Sequence, residues 1–144
     1  YRPSGVFGDL KIFRGDINSE RETIMKALII VAHGSRKTES NSEVAELAIR
    51  LSPKATAWFN RVEYSFLQFA EPFLESKIQE LAAEGAKQIT IFPLFIAAGS
   101  HVLNDIPQIV EKVKKDYSGL DIKISTHLGK IKAIDEIILK EVMS

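Results

Sequence analysis

At 144 residues, with 45% hydrophobic and 26% charged side chains, the sequence has the composition of a globular domain with a core of ordinary size. Its 19 Lys and Arg balance 19 Asp and Glu, so no net field draws the chain toward nucleic acid or anionic lipid, and a polyanionic partner must be held by local groups. The absence of cysteine excludes disulfides, thiolate metal sites and iron–sulfur clusters held by its own thiolates, and fits a reducing cytoplasm; no stretch nears the roughly 20 apolar residues of a membrane span.

Residues 1–24 carry several charges and no continuous apolar run, so they do not read as a secretory signal. Met25-Lys26 immediately precedes the first clear strand. The expectation is a leader or extension over residues 1–24 and a single α/β domain over residues 25–144.

The run Lys26–Ala32 is almost wholly apolar and rich in Ile and Val, which marks a strand covered on both faces and therefore a parallel sheet. A polar loop follows, His33-Gly-Ser-Arg-Lys-Thr-Glu-Ser40, in which Gly34 permits a sharp turn. Ser40 and Glu43 have the spacing of a capping box, and Val44, Leu47, Ala48 and Leu51 recur at helical intervals until Pro53 interrupts them. Val62–Leu67 alternates as an edge strand would. A helix starting near Pro72 presents Leu74, Ile78, Leu81 and Ala82 and stops at Gly85, and Gln88–Phe92 is the third strand.

Asn104 or Asp105 is placed to cap the next helix, with Pro107 in its first turn and Ile106, Ile109, Val110 and Val113 facing inward until Ser118-Gly119. Asp121–Thr126 alternates as the other edge strand, and Ile131, Ile134, Ile138 and Val142 form the stripe of a last helix. Strand and helix therefore alternate four times. That pattern predicts a four-stranded parallel sheet with helices on both faces, in the flavodoxin-like order 2-1-3-4. Ligands in such sheets bind beyond the carboxyl ends of the strands at the switch point, here between the first and third strands.

His33 follows the first strand, His101 follows the third and His127 the fourth, so all three histidines fall on one rim. Neutral imidazoles bind late first-row divalent ions and also accept protons near neutral pH. Two of them without thiolates make an open site, suited to an ion in passage rather than one kept for structure. An isolated histidine more commonly caps a helix or satisfies backbone groups; the pair at the switch point favours the functional reading.

Four segments taken together resemble a known family. Ala32-His-Gly-Ser-Arg36, Phe92-Pro-Leu-Phe-Ile-Ala-Ala-Gly-Ser-His101, Asp105-Ile-Pro107 and Leu128-Gly129 are similar to the successive signatures of the short sirohydrochlorin cobaltochelatases of anaerobic cobalamin synthesis. The resemblance covers Met25 to Ser144 and implies a chelatase-like α/β fold, with insertion of a divalent metal, cobalt first and nickel or iron as alternatives, into sirohydrochlorin. It makes His33 and His101 the metal-binding and catalytic pair. It implies a cytoplasmic homodimer, because longer members carry two such modules, with no tightly bound cofactor and no nucleic-acid or membrane partner.

Around that pair, Ser35, Arg36 and Ser100 are candidate holders of the macrocycle's carboxylates. Ala98 and Gly99, with Ala97, offer little bulk to obstruct a flat ring, or else serve tight packing of the loop; Arg36 reads equally as a solvated charge. Members of the family commonly carry a glutamate at the position of Gln68, which as an amide cannot be a base. The histidines would then carry the protons, or Glu63 or Glu71 would substitute, or the metal preference differs. His127 stands where a proline is common and is a possible auxiliary ligand. Two further readings compete: a flavin-binding module whose hydroxyls are Ser35, Thr38, Ser40 and Ser42, and a metal or tetrapyrrole carrier without turnover. The glycine patterns of dinucleotide and triphosphate sites are absent.

Overall fold

A strand that is apolar along its whole length needs neighbours on both edges and cover on both faces, and β1 (Met25–Ala32) has them. In the computed structural model, which describes residues 24–144, β1 lies between β2 (Arg61–Phe66) and β3 (Ala86–Pro93), and β4 (Asp121–Ile124) pairs with β3. The order is 2-1-3-4 and every pair is parallel, as the sequence predicts. The expected leader or extension falls, but for Ile24, outside the described residues.

Three helices make the crossovers, α1 (Thr38–Leu51), α2 (Leu74–Ala83) and α3 (Ser100–Asp116), and a fourth, α4 (Ala133–Met143), follows the last strand. The main core lies on one face of the sheet. There Ala27, Ile29 and Val31 of β1 and Ile89 and Ile91 of β3 meet Leu74, Ile78 and Leu81 of α2 and Ile106, Val110 and Val113 of α3. Ile30 and Ala32 alternate to the opposite face, where α1 packs on β2 and buries Ala48.

Three sequence expectations require correction. Helix α1 begins at Thr38 with Lys37 at its N-cap and no side-chain cap, so Ser40 and Glu43 sit inside the helix and form no capping box. The helix start is held instead from the preceding loop: the Ser35 N–H donates to Asn41 Oδ1 at 3.0 Å, Asn41 Nδ2 donates to the Ser35 carbonyl at 2.7 Å, and the Lys37 N–H donates to Ser35 Oγ at 3.0 Å. Helix α3 begins at Ser100, with Gly99 at its N-cap, so Asn104 and Asp105 lie within it and Pro107 is in its interior. A proline there removes the backbone bond that its nitrogen would have donated to the Leu103 carbonyl, and its ring crowds that carbonyl.

The third correction concerns α4, which begins at Ala133, so that Ile131 precedes it; the helix buries no residue. Ile131 and Ile134 are half-buried, but Ile138 and Val142 are 53% and 70% exposed, together with Ile137, Leu139 and Met143. Periodicity shows that a helix has an apolar face; it does not show what covers that face.

At the opposite edge an ionic network fastens α2 to β2. Arg61 bridges Glu63 at 2.8 Å and Glu84 at 2.6 Å, and the buried Lys77 reaches Glu63 at 3.4 Å and Glu80 at 3.2 Å. Hydrogen bonding to Glu84, and then to Glu63, raises the Arg61 pKa above its ordinary value.

Ser65, wholly buried in β2 and paired with Val31, has a hydroxyl with no hydrogen-bond partner. An unpaired buried hydroxyl costs about 1–3 kcal/mol. Ser65→Ala should therefore raise the unfolding free energy by about 1 kcal/mol, measured by urea denaturation; a loss of stability would show that the hydroxyl is satisfied in solution.

Candidate functional site

The rim at the carboxyl ends of the strands is built by backbone bonds that continue the sheet past its strands. The Leu67 N–H donates to the Ala32 carbonyl and the Gln68 N–H to the His33 carbonyl, each at 3.0 Å, so the loops after β1 and β2 are stitched together. The Leu94 N–H donates to the Val31 carbonyl at 2.8 Å and carries the chain after β3 along the other side of β1. The Gly129 N–H then bonds the Phe95 carbonyl at 2.9 Å and brings in the turn after β4.

Two glycines make this stitching possible. Gly34 has φ +94°, and a Cβ on it would overlap the carbonyl oxygen of Gln68. A Cβ on Gly129 would overlap the carbonyl oxygen of Ile96.

His33 stands exposed at the end of the central strand. Its ring meets the buried ring of Phe95 edge to face, with centroids 5.3 Å apart and planes at 62°. That contact, together with the fixed carbonyl, gives an exposed imidazole a rigid seat. Beside it opens a cleft of about 440 Å³, within the range of small-molecule sites, bounded by His33, Ser35, Asn41 and Val44 on the β1–α1 side and by Leu94, Phe95 and Ala97 on the β3 side.

The other predicted site residues are distributed as follows. Ala98 is half-buried against the core, Gly99 is the N-cap of α3 and Ser100 is its first residue; none of the three lines the cleft. A Cβ on Gly99 would meet nothing within 4 Å, so close packing does not require glycine there. Arg36 is not part of the cleft lining, and its guanidinium lies 4.5 Å from the centroid of the Phe69 ring. His101 occupies the first turn of α3, and its side chain lies outside the described residues. Since β3 pairs directly with β1, the loop 94–99 starts beside His33 and ends at that turn.

His127 is buried just before a 3₁₀ turn, Leu128–Lys130. Among the described residues no group of three or more histidines and carboxylates is gathered to hold a metal ion. Glu63 is paired with Arg61 and Lys77 on the strand itself, whereas Glu71 is exposed in the loop after β2. Of the hydroxyls of the flavin-type reading, Thr38, Ser40 and Ser42 belong to α1, and the Ser35 hydroxyl accepts from the Lys37 N–H.

Sequence reading missed Phe95, Asn41 and Phe69. Phe95 lies inside the quoted run Phe92–His101, yet nothing in its spacing tells that its ring meets His33. Asn41, six residues after Ser35, carries the weak signal of an amide near a helix start.

Comparison with known proteins follows the same outline. A CbiX family model matches residues 27–144. The chain is 32% identical over 124 residues to a sirohydrochlorin cobaltochelatase of Saccharolobus islandicus, covering 82% of this chain and 94% of that protein. It is 40% identical over 86 residues to a protein of the same name from Methanococcus aeolicus, covering 60% and 59% respectively. Among solved structures, a CbiX protein from Marinobacter aquaeolei VT8 superposes with a TM-score of 0.62 at 25% identity, covering 82% of this chain and 98% of that one. The sirohydrochlorin chelatase SirB of Bacillus subtilis subspecies spizizenii, in complex with cobalt, shares the fold with a TM-score of 0.71 at 24% identity, covering 83% of this chain and 50% of that one.

The seat of His33 depends on Gly34 for both its backbone conformation and the space taken by the Gln68 carbonyl. Gly34→Ala is expected to cost about 2–4 kcal/mol of stability. Thermal unfolding checks this, and an unchanged midpoint would show that the two loops are not in contact.

Proposed function

The chain belongs to the CbiX family, and on that premise we propose that it inserts a divalent metal ion, cobalt first among the candidates, into sirohydrochlorin. The observation that supports the reading is the delivery of His33 by β1, and of the backbone of His101 by the loop and helix after the adjacent strand β3, to one rim beside an open cleft. In this reaction two pyrrole N–H protons leave the ring as one M²⁺ enters. Neutral imidazoles serve both halves of that exchange, since each offers a lone pair either to the ion or to a departing proton.

His33 and His101 are assigned as metal ligands and proton acceptors. Ser35 and Arg36, with Ala98, Gly99 and Ser100 at the start of α3, are assigned to the macrocycle, whose carboxylates meet hydroxyl, guanidinium and helix N–H groups there. Gln68 leaves the proton transfers to the histidines or to Glu71. The metal is substrate and product rather than a resident cofactor, and no tightly bound group is part of the scheme. A polyanionic ring does not cross a bilayer unaided, so enzyme and ring would share one compartment, for which the cysteine-free sequence fits the cytoplasm. Among the described residues no helix is long and apolar enough to cross a membrane.

The same proposal includes a homodimer. Its support is the unburied apolar face of α4 and the match of this chain to half the length of SirB. A second copy is the partner of the right size to complete the longer chain's two modules.

Singly replacing His33 and His101 with alanine should reduce cobalt insertion, followed by the absorbance of sirohydrochlorin, by about 10²–10⁴-fold. Full activity in either variant would remove that residue from the scheme. Competition among cobalt, nickel and iron at buffered free concentrations ranks the metals, and stoichiometric binding without release of metallated ring would favour a carrier. Light scattering is expected to give a dimer that Ile138→Glu converts to monomer; a monomeric parent chain would end the dimer proposal.

A further inference from the structure

Among the described residues, only Phe69 adopts a positive φ without being glycine. Its φ of 71° is a conformation that an aromatic residue rarely adopts, and the ring is 51% exposed. Neither feature helps the fold: left-handed backbone is unfavourable for a side chain with a Cβ, and an exposed ring forgoes burial. The loop is nonetheless fastened at both ends. Leu67 and Gln68 donate to the carbonyls of Ala32 and His33, and the Phe66 N–H donates to the Pro72 carbonyl at 2.9 Å.

What the conformation achieves is contact with Arg36. The guanidinium carbon lies 4.5 Å from the ring centroid, three positions along the chain from His33. Among the described residues Arg36 has no carboxylate partner, in contrast to Arg61, which has two. A neutral ring holds the plane of a guanidinium while leaving its N–H edge unneutralised and free to meet a carboxylate.

We propose that Phe69 is a positioning residue that holds Arg36 at the rim as a receptor for an acidic side chain of the macrocycle, so that ring substrates are discriminated by their carboxylates. The proposal rests on the chelatase reading and adds to it the element of substrate choice. Strain at Phe69 is then the cost of presenting a cation that the rest of the fold does not neutralise.

The test is fluorescence titration of the folded chain with two metal-free porphyrins, one carrying eight carboxylates and one carrying two. Phe69→Gly should weaken the octacarboxylate about two- to five-fold and the dicarboxylate much less, with the difference shrinking at high salt. Phe69→Trp should keep wild-type binding. Arg36→Ala with Phe69→Gly should be no weaker than Arg36→Ala alone. Glycine meets this φ without strain, so Phe69→Gly should melt no lower than wild type, which separates lost binding from lost structure.

In sirohydrochlorin metallation the change should appear in KM more than in kcat. Equal loss of both porphyrins, or independent losses in the double variant, would overturn the proposal. If wild type metallates sirohydrochlorin while Phe69→Gly leaves KM unmoved, this proposal alone fails; if wild type metallates nothing, the chelatase reading fails and takes this one with it.

Discussion

The hydrogen bond from the Gln68 N–H to the His33 carbonyl, at 3.0 Å, is the constraint on which the rest of the rim depends. It fixes the peptide that follows the central strand and so fixes the direction in which the imidazole leaves the sheet. It also forces the next residue, Gly34, into a backbone form with no room for a Cβ. Arg36 reaches Phe69 because the two loops start from this bond. A histidine at the end of a free loop would have to be ordered by its ligand, at an entropic cost that this seam meets in advance.

The parallel sheet was legible because its signal is chemical and continuous. Lys26–Ala32 is apolar at nearly every position, a pattern that only a doubly covered strand satisfies, and the order 2-1-3-4 then brings the loops after β1 and β3 to one rim. Helix starts were less legible because capping residues are short-range signals that compete with one another. Ser40 and Asn104 have suitable side chains, yet α1 and α3 begin upstream of them, at Thr38 and Ser100. The Phe95 ring beside His33 and the left-handed turn at Phe69 are tertiary facts, set by which loops are stitched together, and no local pattern carries them. The stripe of α4 was read correctly as apolar, but burial needs a second surface.

The amide at Gln68 and the ionic network at Glu63 constrain where protons can go. Glu63, on β2 and short of the rim, is held by Arg61 and the buried Lys77. Protonating that carboxylate would give up both ion pairs and leave Lys77 with Glu80 alone. The glutamate common in the family is absent. In the proposed scheme, proton acceptance then falls to groups that are neutral when unprotonated and need no counter-ion, which is the chemistry of imidazole.

Arg61 and Arg36 show two fates of a guanidinium in a chain of zero net charge. Arg61 is tied to two carboxylates, its pKa raised by Glu84 and Glu63, and its charge is consumed in fastening the edge strand to α2. Arg36 is tied to a ring that contributes no charge, so its field extends beyond the rim. Within about one Debye length at physiological salt, roughly 8 Å, such a cation is felt by an approaching carboxylate while the balanced remainder of the surface is not. On the proposed reading, recognition of an acidic ring needs no basic surface: it needs one guanidinium that, among the described residues, is paired with no carboxylate, and Phe69 would hold it so.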